Sequence, residues 1–216
     1  EQVEQQNIES IARRWLSVDW DPKPVICTAT KLNARIAAFI NDGGGRFLRG
    51  STFYEDFVKT VCTINTNWAS TKRMVSSLVN IVGGGVFPSP LEVINQGEYS
   101  LRQELRLGFR SAVLAESSRQ LLGKGVIDDQ GNLVQTDVKL EDLISLRGIG
   151  PYSASHVMML LHDFSRIPVD SEVSHYCKQH YDIGSEDIET FFDRWGDYKF
   201  LGYKLNRIVH ETNLTE

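Results

Sequence analysis

The sequence predicts an all-α fold in two lobes, on two observations. Helical apolar spacing recurs along the whole chain, whereas the alternating pattern of strands is rare. The helical stretches are bounded by capping residues, prolines and glycine clusters, the punctuation of helix ends. At 216 residues the chain suffices for one large domain or two modest lobes. The lobes expected are a helical bundle over residues 52–162 and a second lobe built from both chain ends, 1–51 with 163–216.

The elements follow in order. Residues 8–15 read as an amphipathic helix, and Trp20-Asp21-Pro22-Lys23-Pro24 as a turn-rich break. Residues 32–40 form the next predicted helix, with Leu32, Ile36 and Phe39 on one face, ended by Asn41-Asp42-Gly43-Gly44-Gly45. Ser51 or Thr52 can cap the following helix, and Glu55 is placed to complete a capping box from Thr52. Phe53, Phe57, Val58, Val61 and Ile64 are its apolar stripe. The segment Asn65-Thr66-Asn67-Trp68 interrupts it, and helical spacing resumes over 70–82. Ser89 can cap a short helix from Pro90. Leu107-Gly108-Phe109-Arg110 opens a helix that reaches Leu122. Residues 128–136 are a polar loop with room for a small hairpin at Gln130-Gly131.

The most informative stretch is residues 143–170. A helix ends at Leu146, and a tight turn, Gly148-Ile149-Gly150, leads to Pro151 in the first turn of a second helix, where a missing N–H costs nothing. Glycines let the backbone take a positive φ and approach another molecule closely. Free N–H groups at a helix start, beside the positive end of its dipole, suit an anion such as a phosphate. The second helix closes near His162, and Ile167-Pro168-Val169 lead to Asp170. Another helix starts there, with Glu172 in its first turn. Residues 188–195 and 198–209 form the last two predicted helices.

Leu-x-Gly-Ile-Gly-x-x-Ser-Ala, with Val-Asp ending 20 positions after Gly150, resembles the helix-hairpin-helix/Gly-Pro-Asp superfamily of base-excision DNA glycosylases. The resemblance covers roughly residues 32–209, and its specific part is 148–170. It implies a two-lobe helical fold with a cleft between lobes and Asp170 in that cleft, at the scissile N-glycosidic bond. It implies that the hairpin of Gly148, Ile149 and Gly150 grips the DNA backbone, where hairpin carbonyls could also hold Na+ or K+. Residues 47–74 look like the corresponding part of 8-oxoguanine glycosylases, where an Asn fills the gap left by the extruded base. By position that is Asn65; on local sequence alone Asn65 and Asn67 could simply cap helices. Arg110 lies in a turn that lines the lesion site in the family, and it could contact DNA, organise the pocket or form a surface salt bridge. Tyr203 or Tyr198 could stack on the base, with core packing as the alternative.

Family members that also cut the backbone use a Lys two residues after the second hairpin glycine. Tyr152 stands there, and a phenol cannot form an imine. The expected activity is therefore a monofunctional glycosylase, with Asp170 catalytic and Tyr152 in the site. A bifunctional glycosylase/lyase and a non-catalytic helix-hairpin-helix DNA-binding protein are the alternatives. His156, one turn beyond Tyr152, could touch the base or be a core histidine. Glu172 departs from the His common two residues after the catalytic Asp.

The formal net charge of −5 argues against indiscriminate charge-driven binding to DNA, though not against a local basic face. The expected partner is double-stranded DNA with a damaged or mispaired base, bound by a monomer. No apolar run reaches ~18 residues, so no membrane span is expected, and the N-terminus lacks a signal-peptide pattern. Three widely spaced cysteines, Cys27, Cys62 and Cys177, suit an intracellular, reducing setting and are expected to be buried thiols. Only Cys177 follows Asp170, so the four-cysteine iron–sulphur cluster of some family members is not expected, and neither is any other cofactor.

Overall fold

A computed structural model describes residues 2–211, with side chains from residue 8 onward. The α-helices of the described residues are, in order, α1 Gln2–Trp15, α2 Lys23–Leu32, α3 Ala34–Asn41, α4 Phe53–Thr63, α5 Trp68–Ser77, α6 Pro90–Gln103, α7 Arg110–Gly123, α8 Leu140–Ile144, α9 Pro151–Leu160, α10 Ser171–Tyr181, α11 Ile188–Phe191 and α12 Lys199–Glu211. Extended pairing among them is limited to one isolated antiparallel bridge, Ile127 with Leu133, around the Gln130-Gly131 loop. None of these helices is long and apolar enough to cross a membrane.

The chain divides into two compact units, Gly50–Val157 and the segments on either side of it. The division falls inside α9, whereas the sequence placed it after that helix.

In the unit built from the flanking segments, Val25, Ala29, Ile36 and Ile40 of α2 and α3 meet Phe164, Ile167, Tyr176, Phe192, Trp195 and Leu201 in one core. The expected break at residues 20–24 instead leads directly into α2. Pro24 sits in its first turn, where proline is tolerated. Asn33, in extended conformation, ends α2 and caps α3 by accepting the N–H groups of Arg35 and Ile36. Leu32 therefore belongs to α2 and is 36% exposed, not part of the apolar face of α3. Cys27 is also exposed, because the buried face of α2 is Val25 and Ala29. Cys62 and Cys177 are buried, and burial pushes their thiols up to about 12 and about 11.

In the Gly50–Val157 unit, Thr52 Oγ1 accepts the Glu55 N–H at 3.1 Å. The Glu55 carboxylate accepts the Ser51 N–H at 2.7 Å, one residue earlier than a capping box would require. Phe53, Phe57, Val58 and Val61 are buried as the stripe predicts, and α4 packs on α5 and α7. Tyr54 is buried beside them, with its hydroxyl 2.6 Å from Ser118 Oγ. Helix α5 runs into a π-helical turn, Leu78–Val82. Helix α6 starts at a full Ser89–Glu92 capping box and runs longer than expected, broken at Gly97, whose φ is +75°.

Candidate functional site

The hairpin lies in the Gly50–Val157 unit. Lys139 is the N-cap of α8, its N–H donating to the Asp142 carboxylate at 2.9 Å, and the helix ends at Ile144 rather than Leu146. Gly148 has φ +75°, and a Cβ there would lie 2.5 Å from Val113 Cγ2 on α7. Both facts demand glycine. Gly150 differs: its φ is not positive, and a Cβ on it would meet nothing within 4 Å. The N–H groups of Gly148 and Gly150 have no acceptor among the described residues. The Ile149 N–H, by contrast, is bonded to the Leu146 carbonyl at 3.2 Å, and its side chain is 5% exposed. Ile149 is thus an anchor that pins the turn to the core; its side chain is not a surface for DNA. The turn offers two outward N–H donors just ahead of α9, the arrangement an anion needs.

Asn65 follows the C-terminal residue that caps α4 and has a left-handed φ of +47°. It is exposed, and its amide makes no hydrogen bond among the described residues. Asn67 is the helix cap, accepting the Ser70 N–H at 2.9 Å. Arg110, at the start of α7, donates to the Ile64 carbonyl through Nη2 and lies over the Phe109 ring at 4.6 Å. It is 7% exposed, and burial lowers its pKa. Neither a surface salt bridge nor an exposed phosphate contact describes it. It holds the backbone from which the Asn65 turn springs, so of the three roles the sequence leaves open its burial leaves that of organising the site.

Beside this turn runs a trough of about 1240 Å³, lined by Thr66, Lys72, Arg73, Asn80, Glu104 and Arg106 among others. Of the cations that line it, Lys72 stands in the sequence only as an amine that does not match the lyase position, and Arg73 and Arg106 go unmarked. The signal was weak, because three cations separated by up to one helix and a loop show no local pattern.

Asp170 lies in the other unit, as the N-cap of α10. Its Oδ1 accepts the N–H groups of Glu172 at 2.9 Å and Val173 at 2.8 Å. Among the described residues Oδ2 accepts no hydrogen bond. One oxygen therefore fixes the carboxylate at the helix end, and the other is left without a protein partner among the described residues. Glu172 is ion-paired with Arg207 of α12 at 2.7 Å, which accounts for an acid where the resemblance led to a histidine. Arg207 also donates to Glu211 at 2.7 Å and to the Tyr203 hydroxyl at 3.2 Å.

Tyr203 is 2% exposed, packed against Tyr176, Phe192 and Phe200. Its faces are taken by the core, so it is not a plate for a base. Tyr152 and His156 do share one face of α9, with ring centroids 6.1 Å apart, and both are half-buried.

No family model matches the chain. It is 28% identical over 153 residues to an N-glycosylase/DNA lyase of Saccharomyces cerevisiae, a match that covers 61% of this chain and 41% of that protein. Among solved structures, it is similar to the 8-oxoguanine glycosylase/lyase of Clostridium acetobutylicum, with a TM-score of 0.71 at 17% identity over 93% of this chain and 75% of that one. The 3-methyladenine DNA-glycosylase of Archaeoglobus fulgidus gives a TM-score of 0.68 at 14% identity over 100% of this chain and 78% of that one. The chain has the helix-hairpin-helix DNA glycosylase fold. The alignment spans less than half of the yeast protein, so the yeast enzyme's activity is not transferred whole.

Proposed function

We propose that this chain is a DNA glycosylase that hydrolyses the N-glycosidic bond of a damaged or mispaired base flipped out of duplex DNA. The observation that carries the reading is Asp170, with Oδ1 held by two backbone donors and Oδ2 open, in a chain of the glycosylase fold. A base inside a duplex is unreachable, so it must leave the stack first. Cleavage then leaves an oxocarbenium-like sugar. A carboxylate ~4 Å from that charge, at an effective dielectric of ~20, stabilises it by ~4 kcal/mol, about a thousandfold in rate. The same oxygen can orient a water and take its proton as that water attacks C1′. The hairpin N–H groups, with a monovalent cation on its carbonyls, would hold a phosphate.

Tyr152 supports a monofunctional reaction, because it stands where lyases carry their amine. The bifunctional reading is favoured by the names of the yeast and Clostridium proteins. A panel of duplexes, each with one damaged or mispaired base, separates the two. The expected result is base release that cuts the strand only after hot alkali, with no borohydride-trapped adduct. Cutting without alkali, with a trapped adduct, overturns the monofunctional reading. Duplex binding without release from any substrate would make the protein a binding module.

A further inference from the structure

Trp68 is 69% exposed at the first residue of α5, immediately after the turn that carries Asn65 and its cap Asn67. Of the other three tryptophans, Trp20 and Trp195 are buried and Trp15 is 47% exposed. Packing does not account for a large indole in that place. Lys72 is four residues on, on the same face of the helix, and is also exposed. Lys72, Arg73 and Arg106 line the trough beside it. None of the three has an ion-pair partner among the described residues. Arg73 is steadied by a hydrogen bond to Ser70 Oγ at 3.0 Å, which leaves its charge uncompensated. In a chain of net charge −5, this is a local excess of positive charge against a single lining acid, Glu104.

We propose that Trp68 is a stacking plate for an unstacked base, and that Lys72, Arg73 and Arg106 carry phosphates of the same nucleic-acid strand. The inference rests on the reading of the chain as a DNA enzyme. A nucleic-acid strand combines the two features the surface demands, a flat apolar face and a regular row of negative charges. Aromatic side chains stack on any base, so the plate is indifferent to sequence. A duplex opened at one nucleotide supplies bases that have lost a stacking neighbour. An exposed indole beside an exposed turn gives such a base a new one.

The test is intrinsic fluorescence on binding a duplex with one stable abasic-site analogue, which requires no base release. Stacking quenches an indole. The wild-type emission should fall on binding, Trp15→Phe should keep that change, and Trp68→Phe should abolish most of it. Trp68→Ala should weaken the affinity about tenfold, with unchanged circular dichroism. Lys72→Gln and Arg106→Gln should each reduce the slope of log affinity against log salt by about 1, as for one lost phosphate contact. A quench that survives Trp68→Phe, or wild-type affinity in Trp68→Ala, overturns the proposal. A wild type that binds and is quenched through Trp68 but releases no base leaves this inference standing and removes the catalytic one.

Discussion

Asp170 Oδ1 accepts the Val173 N–H at 2.8 Å, and that bond fixes the carboxylate at the mouth of α10. Its other oxygen is therefore placed by the backbone, not by a neighbouring side chain. Asp170→Asn keeps an oxygen that can accept the same N–H groups while it removes the charge. Thermal stability should change little, whereas base release should fall at least about a hundredfold, as for loss of one transition-state electrostatic contact. Asp170→Ala should lose the cap as well, at a cost of about 1 kcal/mol. Calorimetry and single-turnover release on one lesion duplex check both. Undiminished release by Asp170→Asn would remove the carboxylate from the mechanism.

The two hairpin glycines should respond differently to alanine. Gly148→Ala meets Val113 and a positive φ, so it should destabilise the fold or fail to yield folded protein. Gly150→Ala should fold normally, because its Cβ enters open space. That space is where a phosphate would sit. Affinity for damaged and undamaged duplex should fall by the same factor, because phosphate contacts carry no sequence information. A loss confined to damaged DNA would put Gly150 in the base pocket.

Asn65→Ala removes an exposed amide without touching a cap, since Asn67 holds α5. Release from duplex should slow far more than release from single-stranded substrate, where no orphaned partner base has to be supported. Arg110→Met acts one step back. It frees the Ile64 carbonyl and loosens the turn, so it should lower the melting temperature and slow duplex release together. Equal slowing of Asn65→Ala on both substrates would remove it from the gap.

The parts of this molecule legible in the sequence are those governed by neighbours in the chain. The Thr52 and Ser89 caps, the stripe of α4 and the Gly148 turn all depend on residues within a few positions. Where reading failed, a distant partner decided. For Arg110 the sequence leaves a DNA contact, pocket organisation and a surface salt bridge all open, because its acceptor is 46 residues away. For Tyr203 the sequence leaves stacking on a base open beside core packing, because the aromatics that cover it come from α10 and from the segments before α12. The pairing of Glu172 with Arg207 spans 35 residues. Helix α2 was missed for a local reason: two prolines read as a break when one of them fits a helix start.

His162 makes stability depend on pH. It sits between α9 and Asp170 with φ +69°, its ring against Trp20 and Phe164. Its Nε2 is buried with no hydrogen-bond partner. Burial first, then the positive charge of Arg49, with Arg14 and Arg46 adding less, push its pKa down to about 4, against a smaller opposing effect of Asp19. An unfolded histidine titrates near 6.5. Between these values the unfolded chain carries the proton and the folded one does not. The unfolded state binds more protons, so stability must fall as pH falls. The stabilising effect of a neutral His162 is complete above about 6.5, declines below it, and is fully lost once pH passes below about 4. His162→Asn tolerates the left-handed backbone and removes the titration. Urea midpoints from pH 7.5 to 4.5 should therefore drop further for the wild type than for His162→Asn, with the two curves diverging from about pH 6.5 downward. Parallel curves would mean that His162 takes up its proton in the folded state as readily as in the unfolded one.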